Sequence, residues 1–224
     1  ATGKDVVYIF AGLPDSYESE SFDRDNMAMP ESHNKLIEAV SQVNERVVVV
    51  LQGGAPMEMT WTDKVQGILL MYLGGEAGGG ACADLLLGEA NPSGKLAESW
   101  PFTETDAPSS DFFPGYPLTV EYRENLFVGY RYYDTAKKAV RYPFGYGLSY
   151  TQFEYSNLHL SAKFIKDSDS VNVSCTIKNT GERAGSEVIQ LYLSCKDSVI
   201  IRAEQELKGF EKVHLEAGES REIS

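Results

Sequence analysis

The sequence predicts two domains: an α/β layer domain with a mostly parallel sheet, and a β-sandwich after it. In the first half, continuous apolar runs alternate with segments of helical period, which is typical of buried parallel strands joined by helices. Beyond Tyr150 the apolar period changes to two, as in strands buried on one face. The chain of 224 residues has the length of two ordinary domains, which we place at 1–150 and 151–224.

The first domain begins with a short apolar strand, Val6–Phe10, and an acidic loop follows it at Glu18–Arg24. Proline and an acid at Pro30–Glu31 suit the first turn of a helix. Apolar residues recur on one face of that helix, namely Leu36, Ile37, Val40 and Val43. The other predicted elements are strands at Val47–Leu51, Ile68–Tyr72 and Gly94–Trp100, a helix at Ala81–Leu87 and a long surface loop at 103–122.

In the second domain apolar and polar residues alternate, as at Val171, Val173, Cys175 and Ile177. Turn signals such as Asn179–Gly181 separate the apolar runs. This spacing predicts about five strands of a sandwich that is incomplete at its C-terminus. The strands are expected at 153–160, 171–177, 189–193, 207–213 and from 220 onward.

The charge balance narrows the classes of partner. Twenty basic and thirty-three acidic residues give a net charge of −13, and the acids are spread along the chain. Nucleic acid and anionic membranes would be repelled by such a surface, so neither is expected as a partner. The chain contains no apolar run near the roughly 20 residues that span a bilayer, and its first residues lack a signal-peptide core.

The three cysteines, Cys82, Cys175 and Cys195, lack the spacing of a metal site and cannot all be paired within the chain. Cys82 and Cys175 lie in apolar stretches and are expected to be buried thiols. Unpaired thiols favour a reducing cytoplasm, although secretion stays open.

Five motifs occur in order along nearly the whole chain. They are Glu20–Arg24, Asn91–Leu96, Phe127–Tyr133, Tyr142–Thr151 and Leu207–Phe210, the last followed by Ala217–Glu219. With them the chain resembles the C-terminal part of the family 3 glycoside hydrolases, which are β-glucosidase-like enzymes. The resemblance implies an α/β three-layer sandwich with a mostly parallel sheet, followed by an all-β fibronectin type III-like sandwich.

The resemblance also implies a parent protein in which an N-terminal (β/α)₈ barrel precedes these two domains. Such an enzyme hydrolyses terminal β-D-glycosyl residues of a glycoside or oligosaccharide with retention and without a cofactor. In this chain the barrel is expected to be an absent partner, so the chain by itself is expected to be inactive. A homo-oligomer is the other expected assembly, because self-association would cover the apolar patch left by a missing barrel.

Retaining glycosidases use two carboxyl groups about 5–5.5 Å apart, one as nucleophile and one as acid/base. In the family the nucleophile is an aspartate of the barrel, and the acid/base is a glutamate shortly before a Phe-Asp-Arg element. That alignment implies Glu20 as the acid/base, with Glu18 as a second candidate because Ser21 stands where glycine is frequent. Arg24 is expected to pair with Asp23 and fix the loop.

Simpler interpretations of the acidic loop remain open. It could be only a solvated acidic segment, or a calcium loop, although the glycine of an EF-hand turn is missing. The two domains could also form a non-catalytic carbohydrate-binding or structural module.

The segment Gly78–Ala83 fits a Gly-x-Gly-x-x-Ala dinucleotide fingerprint, and Glu98 lies about twenty residues further on. A dinucleotide-binding α/β domain is therefore an alternative. The fingerprint belongs in the first βα turn of such a fold, whereas here it follows the third predicted strand. We therefore interpret these glycines as permitting close packing between a helix and a strand.

Three aromatic residues, Trp61, Tyr116 and Tyr122, are candidates for stacking on the apolar face of a sugar ring. Core or interface packing is the competing interpretation of each. Trp61 and Tyr122 are the predicted substrate-binding residues.

Overall fold

A computed structural model describes residues 1–113, 115, 118–166 and 168–224. The chain forms two compact units, one of residues 1–83, 98–144 and 201–204, the other of residues 84–97, 145–200 and 205–224. The elements follow in the order β1 (Val7–Gly12), α1 (Glu31–Ser41), β2 (Val47–Gln52), β3 (Gly67–Leu70), α2 (Gly78–Leu87), α3 (Tyr130–Thr135), β4 (Phe153–Leu160), β5 (Val173–Asn179), β6 (Gly185–Leu193), β7 (Glu206–Leu215) and β8 (Ser220–Ile223).

The first unit contains a parallel sheet with strand order β1-β2-β3, in which Val7 pairs with Val47 and Val48 with Gly67. The central strand, β2, is almost entirely buried, which explains its continuous run of β-branched residues. The predicted parallel α/β layer is confirmed. On α1 the predicted apolar face is buried only at Ile37; Leu36 is half exposed, and Val43 lies beyond the end of the helix.

Strand β1 lies at the edge of the sheet formed by the described residues. Its side chains alternate, since Ile9 and Ala11 are buried while Tyr8 and Phe10 are exposed. Aromatic rings are thus open to solvent on one face of an edge strand, where a further chain segment could pack.

Two local expectations fail in the first unit. The strand predicted at Gly94–Trp100 does not form. Trp100 makes an isolated bridge with Tyr142, and Leu96 exchanges backbone hydrogen bonds with Gly145 and Tyr146. Conversely, α3 was not predicted, because its sequence, Tyr-Arg-Tyr-Tyr-Asp-Thr, has no apolar period. The turn before it requires a positive φ, which Gly129 supplies at 58°.

The second unit contains two antiparallel sheets, β4-β5-β8 and β6-β7. Their shared core contains Ile177 from one sheet and Val213 and Leu215 from the other, all buried. Every predicted strand is present, and the predicted β-sandwich is confirmed.

A fully buried asparagine, Asn179, ends β5. Its Nδ2 donates to the carbonyl oxygens of Arg183 at 2.7 Å and Leu215 at 3.2 Å. Its Oδ1 accepts hydrogen bonds from Thr151 Oγ1 at 2.7 Å and from the Gly181 amide at 3.1 Å. The side chain therefore bonds four polar groups, of which the Thr151 hydroxyl and the Leu215 carbonyl lie in the buried interior.

The motifs at Asn91–Leu96 and Tyr142–Thr151 bind to each other within the second unit. Asn91 Oδ1 accepts hydrogen bonds from Ser149 Oγ and from the Tyr150 amide, both at 2.9 Å. Lys95 Nζ donates to the Gly147 carbonyl at 2.7 Å. A Cβ on Gly147 would lie 2.2 Å from the Gly94 carbonyl oxygen, so only glycine fits there. These motif residues hold the fold together.

Candidate active site

The candidate site lies at the carboxyl edge of the parallel sheet, where ligands commonly bind in α/β folds. The loop after β1 runs beside the loop after β2. The Leu13 amide donates to the Gln52 carbonyl at 2.9 Å, and the Glu58 amide donates to the Met27 carbonyl at 2.9 Å. Backbone hydrogen bonds between the two loops thus flank residues 14–26 on both sides, and we call these residues the detour.

Two side chains tie the detour to the loop after β2. Glu18 Oε2 accepts a hydrogen bond from the Gly54 amide at 2.6 Å. Arg24 Nη1 donates to the Pro56 carbonyl at 3.0 Å, and its Nη2 is buried without a partner among the described residues. We call the five residues between these two ties, Ser19–Asp23, the acid arch.

All five residues of the acid arch are exposed. Within the described parts of the chain, none of them makes a hydrogen bond or ion pair. Glu20 therefore projects into solvent from the middle of the arch. The two candidate carboxylates thus differ, because Glu18 is engaged by a backbone amide and Glu20 is free.

Ser21, next to Glu20, has φ = 76°, a left-handed conformation that favours glycine. The arch therefore adopts here the backbone that a glycine takes without strain, although the sequence has serine.

We expect Ser21→Gly to stabilise the protein by up to about 1 kcal/mol, because relief of the strain outweighs the larger entropy that glycine gives the unfolded chain. Urea unfolding would measure the change. Ser19→Gly is the matched control, since Ser19 is an exposed arch residue without a positive φ and is expected to lose about 0.5 kcal/mol. A lower midpoint for Ser21→Gly than for Ser19→Gly would contradict the prediction.

The expected ion pair between Arg24 and Asp23 is wrong. Arg24 instead binds the Pro56 carbonyl, and the carboxylates that influence it belong to Glu18 and Glu104. Burial lowers the pKa of Arg24, and those two carboxylates counteract the shift. The guanidinium still fixes the loop, but through the backbone of the neighbouring loop.

A half-buried carboxyl group, Glu98, lies at the same edge of the sheet. Burial, and then the nearby Glu18 carboxylate, raise its pKa. Burial and Glu98 together raise the pKa of the Tyr72 phenol. In the sequence, Glu98 stands out only as part of the possible dinucleotide fingerprint. The signal available in the sequence was Trp100, two residues further on, a large apolar side chain that the fold buries.

We expect Glu98→Gln to stabilise the protein at pH 7.5. Since the pKa of Glu98 is raised in the folded state, the folded form holds its proton more tightly, and stability falls as pH rises from the ordinary glutamate pKa through the raised one. The group is partly exposed, so the gain should stay below about 1 kcal/mol. It should become small near pH 4, where the group is mostly protonated in both states. Urea midpoints at both pH values test this, and Glu76→Gln, at an exposed site, is the control. An equal gain at pH 4 would contradict the explanation.

The two aromatic residues predicted to bind substrate differ in their exposure to solvent. Trp61 is 0% exposed and its Nε1 donates to Asn34 Oδ1 at 2.9 Å. Its ring faces are covered, so stacking of Trp61 on a sugar is wrong for this structure and the residue belongs to the core. Tyr122 is 88% exposed and stays a prediction. Tyr116 lies outside the described residues.

The glycines at Gly78–Gly80 form the first turn of α2. A Cβ on any of the three would meet no atom within 4 Å among the described residues, so the expected close packing at these positions is wrong. They lie open at the start of the helix, after β3.

Metal ligands and membrane-spanning helices are two further kinds of feature that the described residues could supply. No cluster of three or more His, Cys, Asp or Glu side chains there has an arrangement that holds a metal ion. None of the helices described is both long and apolar enough to cross a bilayer. A shallow depression of about 230 Å³ adjoins the acid arch and is lined in part by Tyr17, Phe22 and Arg24.

Comparison with protein families decides the assignment. The model of the glycosyl hydrolase family 3 C-terminal domain matches residues 1–150, more than half of the chain. The chain belongs to glycosyl hydrolase family 3. A fibronectin type III-like model matches residues 187–224, in agreement with the sandwich described above. The family resemblance inferred from the ordered motifs is confirmed.

Individual family 3 proteins resemble the chain over its full length. It is 54% identical to thermostable beta-glucosidase B of Acetivibrio thermocellus and 43% identical to an exo-alpha-(1->6)-L-arabinopyranosidase of Bifidobacterium breve, covering 30% and 29% of those proteins. The crystal structure of a Bifidobacterium adolescentis family 3 beta-glucosidase superposes with a TM-score of 0.93 at 43% identity, over 98% of this chain and 32% of that one. The chain thus spans about a third of the length of these relatives.

Proposed function

We propose that this chain carries the acid/base of a retaining β-glycosidase and that Glu20 is that residue. The observation that carries the proposal is the contrast between the two glutamates at the carboxyl edge of the sheet. Glu20 projects without a partner from the exposed arch, whereas Glu18 accepts a 2.6 Å hydrogen bond from Gly54. A proton donor must reach a substrate oxygen, and only a side chain without a partner can do so without first breaking a hydrogen bond.

The chemistry needs a second carboxylate from outside the chain. In the proposed reaction an aspartate of an N-terminal barrel attacks the anomeric carbon while Glu20 gives its proton to the departing glycosidic oxygen. Water then attacks the glycosyl-enzyme, and the Glu20 carboxylate takes the proton of that water. The anomeric configuration is inverted twice and so retained, and Glu20 ends in its starting state.

Two observations support a barrel as the partner. The chain covers about 30% of its relative from Acetivibrio thermocellus, so most of the length of such a protein is supplied by other segments. Tyr8 and Phe10 are exposed on an edge strand, as expected of a surface that a further domain covers. Self-association and a cytoplasmic location stay predictions.

The proposed substrates are terminal β-linked glycosides. Two of the three relatives described above are named as beta-glucosidases, which favours a β-glucoside. The arabinopyranosidase, at 43% identity, is named for a different sugar, so we expect homologous C-terminal regions to serve more than one sugar. The residues that choose the sugar therefore need not lie in this chain.

Complementation would test the proposal. The isolated chain is expected to release no nitrophenol from 4-nitrophenyl β-glucoside, as is a family 3 barrel by itself, and mixing or co-expressing the two should restore hydrolysis. A chain with Glu20→Ala should restore far less. Hydrolysis by the isolated chain, or full restoration by the Glu20→Ala chain, would contradict the proposal.

A further inference from the structure

We propose that Glu18 and Arg24 are positioning residues that hold the two ends of the acid arch, and thereby place Glu20 for proton transfer. This inference rests on the proposed function and adds to it. Neither residue is required to touch the substrate, since each would act through the position of Glu20.

The Glu18 tie fixes the first end of the arch. Its Oε2 lies 2.6 Å from the Gly54 amide, a charge-assisted contact that is stronger than a neutral hydrogen bond. A Cβ on Gly54 would lie only 3.2 Å from Glu18 Oε1 and 3.4 Å from Leu73 Cδ1, so glycine leaves room for the carboxylate. The backbone of the loop after β2 therefore provides both the donor and the space for the Glu18 carboxylate.

The Arg24 tie fixes the second end. Nη1 donates to the Pro56 carbonyl at 3.0 Å, two residues beyond the Gly54 amide that holds Glu18. The guanidinium is half-buried, and the Glu18 carboxylate is the first of the two charges that stabilise it. Both ends of the arch are thus attached to one short stretch of backbone and are linked electrostatically.

No other side-chain hydrogen bond or ion pair among the described residues restrains the arch. Ser19–Asp23 make no hydrogen bond or ion pair of their own with the described residues, so the position of Glu20 depends on its two ends and on the left-handed turn at Ser21. Release of one end would let the arch sample other conformations. A misplacement of about 1 Å is enough to lower a reaction rate by about 10²-fold.

The experiment uses the barrel-containing enzyme that carries this chain, with Glu18→Leu and Arg24→Met as variants. For methyl β-glucoside, whose leaving group needs a proton, kcat/KM is expected to fall about 10²-fold. For 2,4-dinitrophenyl β-glucoside, which needs little protonation, it should stay within about 3-fold. Glu18→Gln keeps an oxygen acceptor for the Gly54 amide and should retain at least about a third of the activity on methyl β-glucoside.

A double-mutant cycle separates positioning from a general effect on the fold. In a Glu20→Ala background, Glu18→Leu should lower methyl β-glucoside hydrolysis less than about 3-fold further, because the group that it positions is gone. Losses that multiply in the double mutant, equal losses on both substrates, or a Glu18→Gln variant as impaired as Glu18→Leu would overturn the inference.

The same measurements separate this inference from the proposed function. If Glu20→Ala impairs both substrates equally, the acid/base assignment itself fails. If Glu20→Ala impairs only methyl β-glucoside while Glu18→Leu impairs both alike, the assignment stands and only the positioning roles fail. Should Glu18→Leu not fold, Arg24→Met takes its place in the same cycle, since it releases the other end of the arch and carries the same expected loss on methyl β-glucoside alone.

Discussion

Replacement of Glu20 by alanine in the barrel-containing enzyme is expected to lower kcat/KM for methyl β-glucoside by about 10³-fold. The same change should leave kcat/KM for 2,4-dinitrophenyl β-glucoside within about 10-fold, because dinitrophenolate departs without a proton. The difference follows from the proposed role, since a general acid matters most where the leaving group is a strong base. Initial rates on a series of aryl and alkyl β-glucosides would measure it as a steeper dependence on leaving-group pKa.

The second step of the reaction gives an independent readout. Without Glu20 no base deprotonates the attacking water, so kcat for the activated substrate should fall and azide should restore it with formation of a β-glucosyl azide. Asp15→Ala is the matched control, because it removes an exposed carboxylate of the same loop outside the acid arch. Azide rescue of an equivalent Glu18→Ala enzyme, with none for Glu20→Ala, would move the acid/base role to Glu18.

Replacement of Asn179 by alanine is expected to destabilise the second unit by about 3 kcal/mol or more. The change removes all four side-chain hydrogen bonds of a residue that is 0% exposed. It leaves the Leu215 carbonyl and the Thr151 hydroxyl without that partner in the interior, and the Arg183 carbonyl and Gly181 amide without it at part-buried positions. Urea unfolding followed by circular dichroism would report the loss as a lower midpoint.

Two further variants make the Asn179 result specific. Asn179→Asp keeps the acceptor and nearly the same volume but loses both donors and buries a charge, so at pH 7 it should be at least as unstable as the alanine variant. Asn172→Ala changes an exposed asparagine before β5 and is expected to stay within about 0.5 kcal/mol of the parent. A midpoint for Asn179→Ala equal to that of Asn172→Ala would contradict the role described for the buried amide.

The regular elements were predictable because their signals are local. A run such as Val47–Leu51 is apolar on both faces only if both faces are covered, and the strands of the sandwich show a period of two because one face is buried. The expectations that failed depend on contacts between distant residues. No local pattern shows that Trp61 bonds to Asn34 in the core, or that Trp100 pairs with Tyr142 at a single point.

The candidate site was predictable only in part. Glu20 came from the family motif, since a charged loop after a strand does not distinguish one carboxylate from another. The tie of Glu18 to Gly54 joins residues 36 positions apart and has no signature in either segment. The raised pKa of Glu98 likewise depends on burial and on the Glu18 carboxylate, which belongs to another loop.

The two ends of the acid arch are held by side-chain contacts to the loop after β2, and the two contact points, Gly54 and Pro56, lie within three residues. Insertions or deletions between its two ends would therefore leave the strands of the sheet in register. Doubling such a loop costs only about 0.6 kcal/mol of closure entropy. The fold of the domain thus tolerates a change of length in this segment, and what such a change would alter is the position of Glu20.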